Sequence, residues 1–228
     1  MLKNIRVAID GPAGAGKSSI SKVVAKKFGF VYVDTGAMYR ASALYAIRAG
    51  IAIEEKSLIP VLDDIHIDME YHDDGQIILL NGEDVSSKIR EEEVSMGASA
   101  IAVIPAVRLK LVEIQRELAK KCSVIMDGRD IGTYVLPDAE LKIYLTASVE
   151  ERAKRRYKEL LEKGAECDLS EVENDIKKRD FNDMNRDFAP LKQAEDAVLV
   201  DSSDMTFDEV VERITNLISE KMGEQDVL

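Results

Sequence analysis

The chain predicts an α/β fold: a parallel sheet with helices on both faces, a phosphate-binding loop (P-loop), a small antiparallel β insertion and a short helical lid. Three observations predict it. Short apolar runs alternate with helical stretches along most of the chain. The octapeptide GPAGAGKS, residues 11–18, joins the first such run to the first helical stretch. One region, about residues 63–104, breaks the alternation and switches to period two.

The elements follow in order. Ile5 to Ile9 is a short buried strand. Residues 17–28 form a helix, with Ile20, Val23, Val24 and Phe28 at helical spacing and Gly29 as its C-cap. FVYVD makes a second strand ending at Asp34. A helix then runs from about Gly36 to Ala49, and Thr35 can serve as its N-cap. Residues 124–127, 141–145 and Ala197 to Val200 are further buried strands, and such continuous apolar runs suit parallel strands covered on both faces. The last helix opens with a capping box, Thr206 with Glu209, and Met205 can staple onto Val210. Its stripe of Phe207, Val210, Val211, Ile214, Leu217 and Ile218 faces the core and carries no chemistry.

Within the insertion, IHIDMEY (65–71) alternates apolar and polar residues, DDG follows, and then QIILLNGEDV. This predicts an antiparallel meander with turns at Asp74-Gly75 and Asn81-Gly82. Helical sequence resumes near Ser87. His66 and His72 lie in or beside this region without a Cys or carboxylate cluster at ligand spacing, and are expected to be surface histidines. The organisation is then an α/β core of residues 1–62 and 105–228, with a lid at about 148–190, and an insertion at 63–104.

The bulk numbers narrow the classes. At 228 residues the chain is long enough for one domain with a sizeable insertion, and 46% hydrophobic with 32% charged residues is a globular composition. No stretch approaches the roughly 18–20 apolar residues of a membrane span. MLKNIRVAIDG lacks the apolar run and cleavage site of a secretory signal, and Cys122 and Cys167 form no disulfide framework, so a cytoplasmic protein with reduced thiols is expected. A formal net charge of −12 argues against nucleic-acid or acidic-membrane binding, both of which need phosphate neutralisation. A small anionic substrate needs only a few local cations.

GPAGAGKS fits G-x-x-x-x-G-K-[ST], with a strand before it and a helix starting inside it. Gly11, Pro12, Ala13, Gly14, Ala15, Gly16, Lys17, Ser18 and Ser19 would bind ATP. The glycines let backbone N–H groups close around phosphate, the helix N-terminus adds its dipole, Lys17 reaches the β- and γ-phosphates, and Ser18 offers a hydroxyl to Mg²⁺. No N-K-x-D base motif is present, and no strand ends in the apolar-Asp-Glu pattern of water-activating ATPases. Transfer to a second substrate is therefore favoured over hydrolysis.

The second strand ends in DTGAMYR, which puts Thr35, Tyr39 and Arg40 at the carboxyl end of the sheet, where ligands bind in open α/β folds. Arg40 can grip an acceptor phosphate, or be a surface arginine. Another strand ends in MDGRDIG. There Asp127 stands where an acid helps hold Mg²⁺, directly or through water; Arg129 can reach a phosphate; and Asp130 can accept from an exocyclic amine. A turn with a surface ion pair would explain the same stretch. Arg152, Arg155 and Arg156 lie on one helical face and could close over the transferring phosphoryl as a lid, or be a solvated face. Arg179, Asp183 and Arg186 likewise share a helical face.

GPAGAGKS, DTGAMYR, MDGRDIGT, ERAKRR and KRDFNDMNR, in that order and at compatible intervals, make the chain resemble bacterial-type cytidylate kinases over essentially its whole length. The first motif is generic; the later four together are far more specific. The resemblance implies transfer of the γ-phosphoryl of ATP to CMP or dCMP, giving ADP and CDP or dCDP, with Mg²⁺ held by Ser18 and Asp127. It implies that Lys17, Arg152 and Arg156 hold the triphosphate, and that Arg40 and Arg129 hold the acceptor phosphate beside Thr35 and Tyr39. Ser99, Arg108 and Asp130 would recognise cytosine, which presents an amine at N4 and acceptors at N3 and O2. Arg179 and Asp183 would meet the sugar, and Arg186 the sugar or phosphate. Thr35 stands where the family has Ser, and keeps the hydroxyl. A monomer is expected. The alternatives are a kinase for UMP or dTMP, and an ATP-dependent switch that transfers nothing.

Overall fold

A computed structural model of the chain describes residues 4–72, 75–162 and 164–225. In chain order the elements are β1 (Arg6–Asp10), α1 (Lys17–Phe28), β2 (Val31–Asp34), α2 (Thr35–Arg48), α3 (Glu55–Leu58), a 3₁₀ segment (Ile59–Asp64), β3 (Ile67–His72), β4 (Gly75–Leu80) and β5 (Glu83–Asp84). A 3₁₀ turn (Lys88–Arg90), α4 (Glu92–Ile101), α5 (Pro105–Lys121), β6 (Val124–Gly128) and a π-helical turn (Ile131–Val135) follow. β7 (Leu141–Thr146), α6 (Val149–Glu162), α7 (Leu169–Asn185), β8 (Val198–Asp201) and α8 (Phe207–Gln225) complete the chain. The fold class is α/β, as the alternation predicts.

The chain divides into two compact units, residues 1–32 with 122–228, and residues 33–121. In the first unit the sheet has the order β2-β6-β1-β7-β8. The pairs β1–β6, β1–β7 and β7–β8 are parallel, with Ile9 opposite Asp127 on one side and Ile143 on the other. Val7, Ile9, Ile125, Ile143, Leu145 and Val200 form a core with Ile20 and Val24 of α1 and Val210, Ile214 and Ile218 of α8. Such apolar burial, about 25 cal/mol per Å², is the main driving force for docking both helices on the sheet. Gly29 ends α1 in the left-handed conformation, and its N–H caps the last carbonyls. The α8 capping box forms, with Thr206 N–H donating to Glu209 Oε2 at 2.7 Å and Glu209 N–H to Thr206 Oγ1 at 3.3 Å. Met205 packs beside the core that holds Val210.

Two members of the expected stripes face solvent. Val23 is 43% exposed and Phe207 47%. Each sits at the edge of its helix's apolar arc, where spacing alone does not tell the last buried position from the first exposed one.

The second unit holds α2 to α5 and the β3-β4-β5 sheet. β3 and β4 pair antiparallel, with Ile67 opposite Leu80; Ile65 and Ile67 are buried while His66 and Asp68 face out. Asn81 and Gly82 both take positive φ, 51° and 82°, which is the two-residue hairpin turn their sequence predicts. Asp74 of the other expected turn lies outside the described residues. α2 and α4 cross closely because Gly97 lacks a side chain: a Cβ there would sit 3.2 Å from Ala43 Cβ and 3.1 Å from Ile53 Cδ1. The N-cap of α2 is Asp34 and not Thr35. The Asp34 carboxylate accepts the Ala37 N–H at 2.8 Å, and Thr35 is already helical. Asp34 is two residues nearer the strand than the expected start at Gly36, and its carboxylate caps the helix with full charge.

Candidate active site

At the end of β1 the chain turns into the phosphate loop. Gly11 has φ 152°, and a Cβ there would lie 1.9 Å from the Leu145 carbonyl oxygen, so only glycine lets β1 and β7 stay paired at this point. Gly16, at φ 84°, starts α1. Lys17 is 6% exposed, and its ammonium donates to the carbonyls of Gly11 at 2.8 Å and Pro12 at 2.7 Å. Burial pushes the Lys17 ammonium down to about 7, helped by Arg129 and opposed by Asp127, Asp10 and Asp183.

The neighbouring strand end, β6, brings Asp127 to Ser18. Ser18 Oγ donates to Asp127 Oδ2 at 2.8 Å, and Tyr32 Oη to Asp127 Oδ1 at 2.7 Å. A hydroxyl and a carboxylate oxygen converging at the helix start are the hard oxygen ligands Mg²⁺ takes when phosphates and waters complete its shell. Among the described residues no group of three or more His, Cys, Asp and Glu side chains is placed to hold a metal by itself.

Beyond Gly128 the acids and arginines separate. Arg129 Nε donates to Asp183 Oδ2 of α7 at 2.6 Å. Asp130 Oδ1 accepts from Arg186 Nη2 at 3.0 Å, in a pair whose side chains are 7% and 5% exposed. Arg186 also donates to the Ala189 carbonyl, and Ala189 holds the left-handed backbone, φ 47°. Tyr134 and Phe188 meet edge-to-face with ring centres 5.0 Å apart. Beneath, Asp10 accepts N–H groups of Ile131 at 2.8 Å and Gly132 at 2.7 Å and so anchors the turn that follows Asp130. Burial pushes its carboxyl up to about 6, against the pull of those two N–H groups.

Two expectations for the helical arginines are corrected. Arg186 does not share a helical face with Arg179 and Asp183. α7 ends at Asn185, and Arg186 is its extended C-cap (ψ 143°), which turns the side chain back to Asp130. Arg152, Arg155 and Arg156 do not act as one face. Arg152 is buried against Ala147, Ala13 and Asp180, Arg155 holds the Ser202 hydroxyl and carbonyl, and Arg156 is exposed beside Glu159. Positions i, i+3 and i+4 span a broad arc, and the hairpin with α7 covers only its inner edge. Arg179 is exposed on α7.

In the second unit, Arg40 Nη2 donates to Asp34 Oδ2 at 3.1 Å. Arg108 is 1% exposed, donates to the Ala102 carbonyl at 3.0 Å, and places its guanidinium 5.5 Å from the centre of the Tyr39 ring, within cation–π range. Thr35 is buried; Ser99 is exposed on α4.

The cytidylate kinase family model matches residues 7–220. The chain belongs to the cytidylate kinase family. It is 53% identical over 225 residues to a cytidylate kinase of Caldicellulosiruptor saccharolyticus, covering 98% of this chain and 100% of that one. It is 49% identical over 224 residues to a cytidylate kinase of a Geobacillus species, covering 98% and 100%. Among solved structures, an uncharacterized protein from Eubacterium ventriosum shares the fold at 16% identity and TM-score 0.51, covering 96% of this chain and 99% of that one.

Three residues of this cytidylate kinase family member support the site without belonging to any of its sequence motifs' expected roles: Asp10, Tyr32 and Asp180. Asp10 is the last residue of the first strand and could have been suspected as a charge at the end of a buried run. Asp180 and Tyr32 carry no local signal, because the groups they serve lie far along the chain.

Proposed function

We propose a division of labour among these residues for the transfer of the γ-phosphoryl group of ATP to CMP or dCMP, the reaction of the family to which the chain belongs. The transfer gives ADP and CDP or dCDP. The observation that carries the proposal is the meeting of Ser18 and Asp127 at the mouth of a glycine loop that also buries Lys17.

The N–H groups of residues 11–19 would cradle the triphosphate, and Lys17 would leave the Gly11 and Pro12 carbonyls for phosphate oxygens. Ser18 and Asp127 would hold Mg²⁺, which when bound neutralises charge on the phosphates. Arg40 and Arg129 would grip the acceptor phosphate bidentately, with Thr35 and Tyr39 beside it. Ser99, Arg108 and Asp130 would read cytosine, and Arg179, Asp183 and Arg186 would meet the sugar or phosphate. Arg156, solvent-exposed on α6, would reach the transferring phosphoryl; Arg152 would serve the same site from below. An acceptor phosphate oxygen is already anionic, so no strong general base is required. The lid, about residues 148–190, would exclude water and so suppress hydrolysis, and the 63–104 insertion would belong to the monophosphate-binding region. We further propose a cytoplasmic monomer. Among the described residues no single helix is long and apolar enough to cross a membrane.

The test is ADP release with ATP and Mg²⁺ against CMP, dCMP, UMP, AMP, GMP and dTMP. Rates with CMP and dCMP alone are expected. Preference for another base would overturn the roles of Ser99, Arg108 and Asp130. Absence of any acceptor-dependent rate would overturn the transfer itself.

A further inference from the structure

Ala13, the third residue of the phosphate loop, has both backbone groups held by side chains of the α6–α7 hairpin. Its N–H donates to Asp180 Oδ1 at 3.1 Å, and its carbonyl accepts from Arg152 Nη1 at 2.8 Å. The same Nη1 donates to Asp180 Oδ2 at 2.6 Å, which closes a ring of three hydrogen bonds. Asp180 is 7% exposed and Arg152 4%. Arg152 Nε is spent on the Ala147 carbonyl at 2.9 Å, just beyond β7.

The hairpin's own packing delivers both groups. Ala153, Val172 and Ile176 form its core, with Val149, Tyr157 and Leu160 packed around them. Arg152 is next to Ala153, and Asp180 lies one turn beyond Ile176. Contact with the loop is close. A Cβ on Gly14 would meet Arg152 Cβ at 3.2 Å and Ile176 Cδ1 at 3.6 Å, and Gly14 itself takes φ 76°. The loop therefore rests on the hairpin, and a side chain at residue 14 would crowd Arg152 and strain the left-handed backbone.

A buried carboxylate and guanidinium attract strongly, but desolvation offsets much of that, so their net worth to folding is small or unfavourable. Their geometric demand is strict. A carboxylate fixes one N–H, a guanidinium fixes the adjoining carbonyl, and the peptide groups on either side of Ala13 cannot rotate. We propose that Asp180 is a positioning residue for ATP: acting through Ala13 and Arg152, it sets the path of the phosphate loop and so the aim of the N–H groups that follow. It touches no substrate. The inference rests on the reading of residues 11–19 as the triphosphate cradle.

The test is the Asp180→Asn variant, which keeps an oxygen for the Ala13 N–H but offers Arg152 no charge, together with Asp180→Ala. Steady-state rates with CMP as acceptor should show KM for ATP raised about tenfold or more in Asp180→Ala and less in Asp180→Asn. KM for CMP should stay within about twofold of wild type. Amide hydrogen exchange should rise in the peptide covering residues 5–18. A protein in which Asp180 serves folding alone would lose thermal stability with KM for ATP unchanged, or with both KM values raised equally; either result overturns the proposal. If Asp180→Ala does not fold, Asp180→Asn carries the test alone: a rise in KM for ATP with KM for CMP within about twofold is expected, and the absence of a selective rise overturns the proposal. Wild-type protein with no ATP-dependent rate would instead overturn the reading of the loop on which the inference rests.

Discussion

Arg129 Nε and Asp183 Oδ2 lie 2.6 Å apart and join the end of β6 to the last turn of α7. Both side chains are about a quarter exposed, 21% and 24%. A charge-assisted bond of this length orients the guanidinium plane, and Nη1 also donates to the Gly128 carbonyl at 3.3 Å; in the proposed site the remaining Nη hydrogens would face the acceptor phosphate. The same helix carries Asp180 one turn earlier, so α7 touches both Arg129 and the phosphate loop.

Asp183→Asn should therefore act on the acceptor. Loss of the charged partner lets Arg129 swing, and KM for CMP should rise about tenfold, equivalent to ~1.4 kcal/mol, with a smaller change in KM for ATP. Steady-state kinetics in both substrates check this. An unchanged KM for CMP would remove Asp183 from the acceptor site.

Lys17→Met should abolish turnover without unfolding the protein. Removing one preorganised cation at a developing charge costs roughly 10²–10³ in kcat or more. The variant deletes a buried ammonium whose hydrogen bonds are to two loop carbonyls, so thermal unfolding should occur no lower than about 3 °C below wild type. Turnover within a few-fold of wild type would sink the phosphate-loop mechanism.

The pH dependence of stability follows from Asp10 and Lys17. Asp10 is raised from 3.8 to about 6, so the folded state holds the proton more tightly, and its contribution declines as pH rises from about 4 to 6. Lys17 is lowered from 10.5 to about 7, so the unfolded state binds more protons between those values, and its contribution grows as pH rises through that window. The two together predict a shallow minimum near pH 6–7 in protein without nucleotide. Urea midpoints measured across pH 4–10 for wild type and Lys17→Met test this: the rise above pH 7 should be missing from the variant.

Asp130→Ala should impair use of CMP far more than affinity for ATP. It also leaves the buried Arg186 guanidinium without the Asp130 carboxylate, so some loss of stability, about 1–3 kcal/mol, is expected alongside. Competition between CMP and UMP in the variant gives the readout. Equal damage to ATP and CMP would refute a role in reading the base.

Much of the local structure was legible because its causes are local. GPAGAGKS announces a glycine loop, Gly29 a helix end, Thr206 with Glu209 a capping box, and Asn81-Gly82 a hairpin turn; each rests on the φ preference or side-chain reach of residues a few positions apart. Even there an edge could mislead. Asp34 displaced Thr35 as the cap of α2, and Asn185 ended α7 before Arg186, because a neighbouring carboxylate or a partner outside the helix decided the last residue.

By itself, then, the sequence determined the α/β class, the phosphate loop and the set of acids and arginines from which the site is drawn. Only the tertiary structure decided how they pair. Ser18 meets Asp127 across 109 residues, Asp130 meets Arg186 across 56, and Ala13 meets Asp180 across 167. Those partners are set by the order of the sheet, in which β6 lies between β2 and β1, and by the docking of one helical hairpin. Residue spacing carries no information about either, since burial and pairing depend on which strand or helix lies alongside. For the same reason Arg152, one of three similar arginines in sequence, alone became a buried support of the loop.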